Sequence, residues 1–283
     1  MKATPLFALA IALTTASGSA QQQDFSKVEI KVIPVARNIY MLEGSGGNIG
    51  VSAGDDGILI IDDQFAPLAE KIEAALKNLN FGKLMFVLNT HHHGDHTGGN
   101  TAFGSKGAMI VAQSNVRIRL TSDLKLAKDA YPVVTFDQSA AVHFNGEEIK
   151  LIHYGPGHTD GDSIIYFTKA NVVHMGDQFV GGFPFVDFSS GGNVSGYIKT
   201  IATVLEKIPT DAKIIPGHGK LSTVEDLKKY HAMLNETVAF VQKQIADGKT
   251  LEDIKAAGLP EKYKSFGNPG RWIEAIHREA TKK

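Results

Sequence analysis

Cysteine is absent from all 283 residues. That excludes disulfides, so stability must come from the core. It also excludes a thiolate as nucleophile or metal ligand. An excess of charge of either sign is missing: 29 lysines and arginines stand against 30 aspartates and glutamates, a formal net charge of −1. Nothing in that balance recruits nucleic acid or an anionic membrane surface. Long apolar runs are missing too. Residues 6–13 form an apolar stretch too short to span a bilayer as a permanent helix, and no later stretch approaches that length. There is no internal repeat and no segment that reads as a linker, while 43% apolar residues suffice for a sizeable core.

Lys2, the apolar residues 6–13 and the small residues Ala16-Ser17-Gly18-Ser19-Ala20 read together as an export signal. Cleavage after Ala20 leaves residues 21–283 as a single periplasmic or secreted domain with no membrane attachment.

Strands are expected at residues 28–33, 38–42, 49–52 and 57–62, joined by tight turns as an antiparallel meander, with a glycine-rich turn at 43–48. Leu68, Ile72, Ala75, Leu76 and Leu79 share one face of a helix over 67–79. Further strands are expected at 84–88, 109–112, 132–136, 141–144, 148–153, 163–167, 172–175 and 213–215. Asn145-Gly146 marks a hairpin, and residues 114–130 read as partly helical. Helices are expected at 197–208, 222–247, 251–257 and 271–282, the second with a Ser222/Glu225 capping box and Gly248 as its stop. This order suggests an α/β (α+β) chain, two sheets face to face with helices outside.

Residues 89–100 read NTHHHGDHTGGN. Imidazole and carboxylate are the usual ligands of zinc and similar divalent metals. His91, His93 and Asp95 are spaced by two, so an extended segment would project them to one side. His96 follows Asp95 directly and must point elsewhere, toward a second centre. Three later glycine-containing turns carry similar chemistry: Gly157-His158-Thr159, Gly176-Asp177 and Pro216-Gly217-His218-Gly219. Together the four turns hold six of the eleven histidines.

His91-x-His93-x-Asp95-His96, followed in order by those three segments, resembles the signature of the metallo-β-lactamase superfamily over residues 28–219. The resemblance implies a four-layer αββα sandwich. It implies a first metal on His91, His93 and His158, a second on Asp95, His96 and His218, and Asp177 between them. The implied cofactors are two zinc ions, with iron or manganese as alternatives. The implied reaction is hydrolysis of a small-molecule substrate by a hydroxide shared between the metals, with Asp95 orienting it and passing a proton to the leaving atom. Asp62, at a strand end, is expected to support the site from behind. His92 points away from the metals as a hydrogen-bonding or buried residue.

Several features lean toward a β-lactamase. They are export and Gly191-Gly192-Asn193, which resembles a segment that places an asparagine, here Asn193, near the substrate carbonyl. Phe179, Phe183, Phe185 and Phe188 alternate with glycines and are expected to wall the substrate pocket. Two departures count against strong activity. Asp177 stands where one β-lactamase subclass has cysteine, and Val180 where it has a carboxylate-gripping lysine. The expectation is therefore weak β-lactam hydrolysis. A lactonase or a glyoxalase II-like thioesterase is the alternative, and a phosphodiesterase or a non-catalytic metal-binding module is less favoured. Lys262, Lys264, Arg271 and Arg278 could supply the basic C-terminal patch such a thioesterase needs. Oligomeric state is left open.

Overall fold

The computed structural model describes residues 24–79 and 82–282, so the expected export signal at 1–20 lies outside the described residues. One sheet runs in the order β1 (Lys31–Ala36), β2 (Ile39–Glu43), β3 (Ile49–Gly54), β4 (Gly57–Ile61), β5 (Leu84–Leu88), β6 (Met109–Gln113) and β7 (Val134–Phe136). The first four strands form the antiparallel meander. From β4 to β7 the strands are parallel. Parallel neighbours need crossovers. These are α1 (Ala69–Leu79), then α2 (Gly94–Thr97) with α3 (Asn100–Gly104), then α4 (Ser114–Ser122).

The other sheet places β8 (Ser139–Phe144), β9 (Glu147–Ile152), β10 (Ile164–Phe167), β11 (Val172–His174), β12 (Lys213–Ile215) and β13 (Ser222–Thr223) side by side in that order. The helix α5 (Val194–Lys207) carries the chain across the parallel step from β11 to β12. The helices α6 (Val224–Ala246), α7 (Leu251–Ala257) and α8 (Gly270–Thr281) complete the described chain.

Strand alternation builds the layers. In β4, Leu59 and Ile61 join Leu88, Val111, Ile149, Leu151, Ile165 and Ile215 between the sheets. Ile58 and Ile60 face the other way, onto Leu68, Ile72 and Leu76. On the far side, Val173 and Ile214 meet Tyr197, Ile201, Leu227 and Trp272 from α5, α6 and α8. The result is helix, sheet, sheet, helix. Because β4 is buried on both faces along its whole length, its sequence is a continuous apolar run.

The differences from expectation are local. β1 begins at Lys31, three residues late, because Phe25, Val28 and Ile30 pack toward α1 and Lys71 Nζ gathers the carbonyls of Phe25, Ser26 and Val28. α6 is capped by Thr223 and Asp226, while the Ser222 hydroxyl donates to the Lys220 carbonyl at 2.8 Å. α2 and α3 were not foreseen; a histidine- and glycine-rich stretch has no apolar period to announce them. Asn145 and Gly146 do make the hairpin, with φ 52° and 75°, as a type I′ turn requires.

The single tryptophan locks α8 to α6. Trp272 is fully buried, and its Nε1 donates to Thr237 Oγ1 at 2.9 Å. Trp272→Ala is expected to lower unfolding free energy by about 3–5 kcal/mol, read as a shifted urea midpoint in far-UV circular dichroism. A loss below about 1 kcal/mol would mean that α8 contributes little to the fold.

Candidate metal centre

Asp62 follows β4 in the left-handed region, φ 62°, and is completely buried. That backbone turns its carboxylate under the histidine-rich segment. Oδ1 accepts from the Thr90 amide at 2.7 Å; Oδ2 accepts from Thr90 Oγ1 at 2.7 Å and from His96 Nδ1 at 2.8 Å. Thr90 Oγ1 has donated its proton to Asp62, so at 3.0 Å it accepts from His91 Nδ1. One carboxylate therefore orients two imidazoles through their Nδ1 atoms, leaving Nε2 of both His91 and His96 facing the cleft.

The same logic holds across the cleft. His158 Nδ1 donates to the Phe185 carbonyl at 2.7 Å, and His93 Nε2 donates to Asp187 Oδ2 at 3.1 Å. Their remaining nitrogens, His158 Nε2 and His93 Nδ1, then face each other at 2.9 Å. Two lone pairs pointed at one another repel; a cation held by both removes the conflict. His91 Nε2 is buried with no hydrogen-bond partner, and its ligand atom lies within 4.8 Å of those of His93 and His158. Asp95, His96 and His218 form a second trio within the same limit. In it, His96 Nε2 lies 3.3 Å from His218 Nε2, and His218 Nε2 lies 3.2 Å from Asp95 Oδ2.

Asp177 lies between the trios. Its Oδ1 is 3.2 Å from His96 Nε2 and 3.5 Å from His218 Nε2, while Oδ2 is 3.6 Å from His158 Nε2. Oδ1 is buried without a properly directed hydrogen bond. Burial opposes its charge, but the imidazoles of His96, His218 and His158 close around it hold the carboxyl well below its ordinary value. Burial would lower His218, yet its hydrogen bonds to Asp177 and Asp95 push it up to about 9. Burial and the neighbouring imidazoles keep His91 neutral, the form a metal takes. Nitrogen and carboxylate donors with orphaned, convergent lone pairs fit divalent cations, zinc foremost.

Two backbone segments seal this centre. A Cβ on Gly47 would come within 2.2 Å of the His96 ring, and one on Gly217 within 2.1 Å of Asp177 Oδ1. Asn48 ties the segments together, its Nδ2 donating to the carbonyls of Pro216 at 2.9 Å and Gly219 at 2.8 Å.

Several expected site residues have other tasks. The histidine run is not a strand: β5 ends at Leu88, the chain bends at residues 90–92, and α2 begins at Gly94, so the helical turn, not strand alternation, separates Asp95 from His96. Asn193 caps α5, its Oδ1 accepting from the Gly196 amide at 2.6 Å. Phe179 is buried against Tyr230, ring centroids 4.9 Å apart, and belongs to the core instead of the pocket wall. Phe183 packs on Phe266. Phe185, 48% exposed, does border the centre, 6.3 Å from the His93 ring and 5.9 Å from that of His158. Phe188 lies in the same loop, half-buried under Arg278. His92 is turned away from the trios, its Nε2 3.3 Å from Ser190 Oγ. Burial, with His93 and Arg119 nearby, lowers His92 to about 4. Asp187 was missed, since a lone aspartate among phenylalanine and serine carries no periodic signal.

A family model described as "Metallo-beta-lactamase superfamily" matches residues 32–240. A hydroxyacylglutathione hydrolase of Brucella anthropi is 31% identical over 173 residues, 57% of this chain and 60% of that protein. A metallo-beta-lactamase type 2 of Bacteroides fragilis is 23% identical over 163 residues, 57% of this chain and 64% of that one. The chain thus spans less than two thirds of either relative. Among solved structures, a metallo-beta-lactamase from Pontibacter korlensis superposes with TM-score 0.63 at 17% identity, covering 73% of this chain and 99% of that one. DIM-1 metallo-beta-lactamase gives 0.62 at 17%, with 74% and 99% covered. These two likenesses concern the fold.

Asp62→Ala is expected to weaken zinc binding by about 10–100-fold, as loss of a group that orients metal-facing imidazoles does elsewhere. Competition against a chromogenic chelator measures it. Unchanged affinity would make Asp62 a purely structural residue.

Proposed function

The chain belongs to the metallo-beta-lactamase superfamily, and from that premise we propose that it is an exported two-metal hydrolase of activated acyl bonds, β-lactams among them. The observation that carries this reading is the Asp177 carboxylate, with one oxygen toward His96 and His218 and the other toward His158. His91, His93 and His158 would hold one cation, Asp95, His96 and His218 the other, and Asp177 would touch both. When bound, two such cations supply Lewis acidity toward a carbonyl oxygen and make water acidic enough to attack at neutral pH.

The rest falls to this chain's own side chains. Asp95 is partly exposed, at 28% of its side chain, and its Oδ2 sits 3.2 Å from His218. Burial tends to raise its carboxyl, but the His218 hydrogen bond and His96 charge keep it low, so at neutral pH it is a proton acceptor. We assign Asp95 to orient the attacking water and to hand the proton to the leaving atom. Phe185 gives the substrate an apolar surface beside His93 and His158. Val180 pairs with His218 as an isolated bridge and offers no charge to a substrate carboxylate. That favours weak capture of β-lactams. A thioester is the second reading, favoured by the 31% identity to a hydroxyacylglutathione hydrolase. Export rests on Lys2, the apolar residues 6–13 and the small residues up to Ala20.

Two experiments test this. First, the zinc-loaded chain is assayed on a penicillin, a lactone, a thioester and a phosphodiester. Turnover of the penicillin with high KM is expected, abolished by a chelator and restored by zinc. Asp177→Ala should cost more than the about 10–100-fold typical of an outer partner, with loss of one of two bound zinc equivalents. Failure of every substrate with zinc, iron and manganese would refute the hydrolase reading. Second, the protein recovered from outside the cytoplasm should begin at Gln21; an intact Met1 start would refute export.

A further inference from the structure

The C-terminal residues 241–283 lie beyond the stretch the family model matches. They nevertheless build one wall of a groove whose other wall is the loop bordering the metal centre. The groove, ≈ 480 Å³, runs between residues 185–189 and α8, with Leu251 and Ala275 at its apolar side. Phe185 links it to the site in two ways. Its ring stands beside the His93 and His158 rings, and its carbonyl holds His158 Nδ1 at 2.7 Å.

Four basic residues near the C-terminus were candidates for a binding patch, and the structure sorts them. Lys262 is paired with Glu236, and Lys264 with Glu261. Arg271 and Arg278 have no ion-pair partner among the described residues. The Arg271 guanidinium lies 5.8 Å from the Phe185 ring centroid and that of Arg278 lies 4.4 Å from the Phe188 centroid. Both line the groove. The carboxylates on its wall are committed elsewhere: Glu274 to Lys255, and Asp187 to His93, Ser189 and Ser190. A guanidinium stacked on a ring keeps its edge donors free, in a fork that matches a carboxylate. Exposed phenyl surface and two free forks on one groove are complementary to an apolar group ending in an anion.

Resting on the hydrolase reading, we propose that this groove is a specificity subsite for an apolar, carboxylate-bearing arm of the substrate, gripped by Arg271 and Arg278. The chain would then select amphipathic organic anions, and residues outside the family match would set that choice.

Calorimetric titration of the full zinc-loaded chain with 3-phenylpropanoate and with neutral 3-phenylpropanamide tests it without requiring turnover. The carboxylate is expected to bind about ten- to a hundredfold more tightly, the range for a charged hydrogen bond. In Arg271→Ala with Arg278→Ala the ratio should fall toward one. Arg271→Gln with Arg278→Gln, which keeps an unbranched polar side chain without the charge, should do the same and serves if the alanine pair fails to fold. Arg271→Lys with Arg278→Lys should recover part of the preference. A wild-type ratio near one would overturn the proposal, as would a ratio retained in the alanine or glutamine pair, which would put the carboxylate on the metals. Failure of the hydrolase reading shows separately, as absent turnover across the substrate panel with this ratio intact.

Discussion

One buried carboxylate organises the centre. Asp62 is completely buried, and every hydrogen bond it accepts comes from the segment that carries the histidines. Burying an unpaired carboxylate costs several kcal/mol, a large share of the roughly 5–15 kcal/mol by which a folded protein is stable. The chain therefore gains by bringing Thr90 and His96 onto Asp62, and His91 follows through Thr90 Oγ1. The folding requirement and the chemical requirement coincide: satisfying Asp62 leaves two Nε2 atoms aimed at the cleft.

The sandwich makes this arrangement repeatable. β4, β5, β11 and β12 are buried strands whose ends deliver Asp62, the 89–96 segment, Asp177 and His218 to one edge. Two rigid sheets hold ligands far apart in sequence at hydrogen-bond distances, which loops alone could not do. Backbone then closes on backbone. Asn48 joins the glycine-rich turn before β3 to the turn after β12, and no side chain larger than glycine fits at Gly47 or Gly217 beside the ligands.

On the open side, the loop 183–190 divides its aromatic residues between two duties. Phe179, just before it, fills the helix layer, whereas Phe185 faces solvent and the imidazoles. Asp187 performs two tasks at once: it caps the 188–190 turn and receives the His93 proton. Movement of this loop would therefore be felt at His93 and, through the Phe185 carbonyl, at His158.

The sequence by itself determined the layers, the four metal-facing turns and the tautomer problem they had to solve. Apolar runs flanked by glycine, the spacing of His91, His93 and Asp95, and helix periods such as Leu68, Ile72 and Leu76 are local signals with local causes. Tertiary structure alone decided what depended on partners distant in the chain. Asp187 reaches His93 across 94 positions, and Asn48 reaches Gly219 across 171. Asn193 took on a cap of α5 that its type allowed but its spacing did not announce, and Phe179 looked like Phe185 until one was packed and the other left bare. Lys262, Lys264, Arg271 and Arg278 are alike as charges; only the positions of Glu236 and Glu261 neutralise the first pair and leave the second to the groove. A residue's type states what it can do, whereas which neighbours exhaust that capacity is settled by packing.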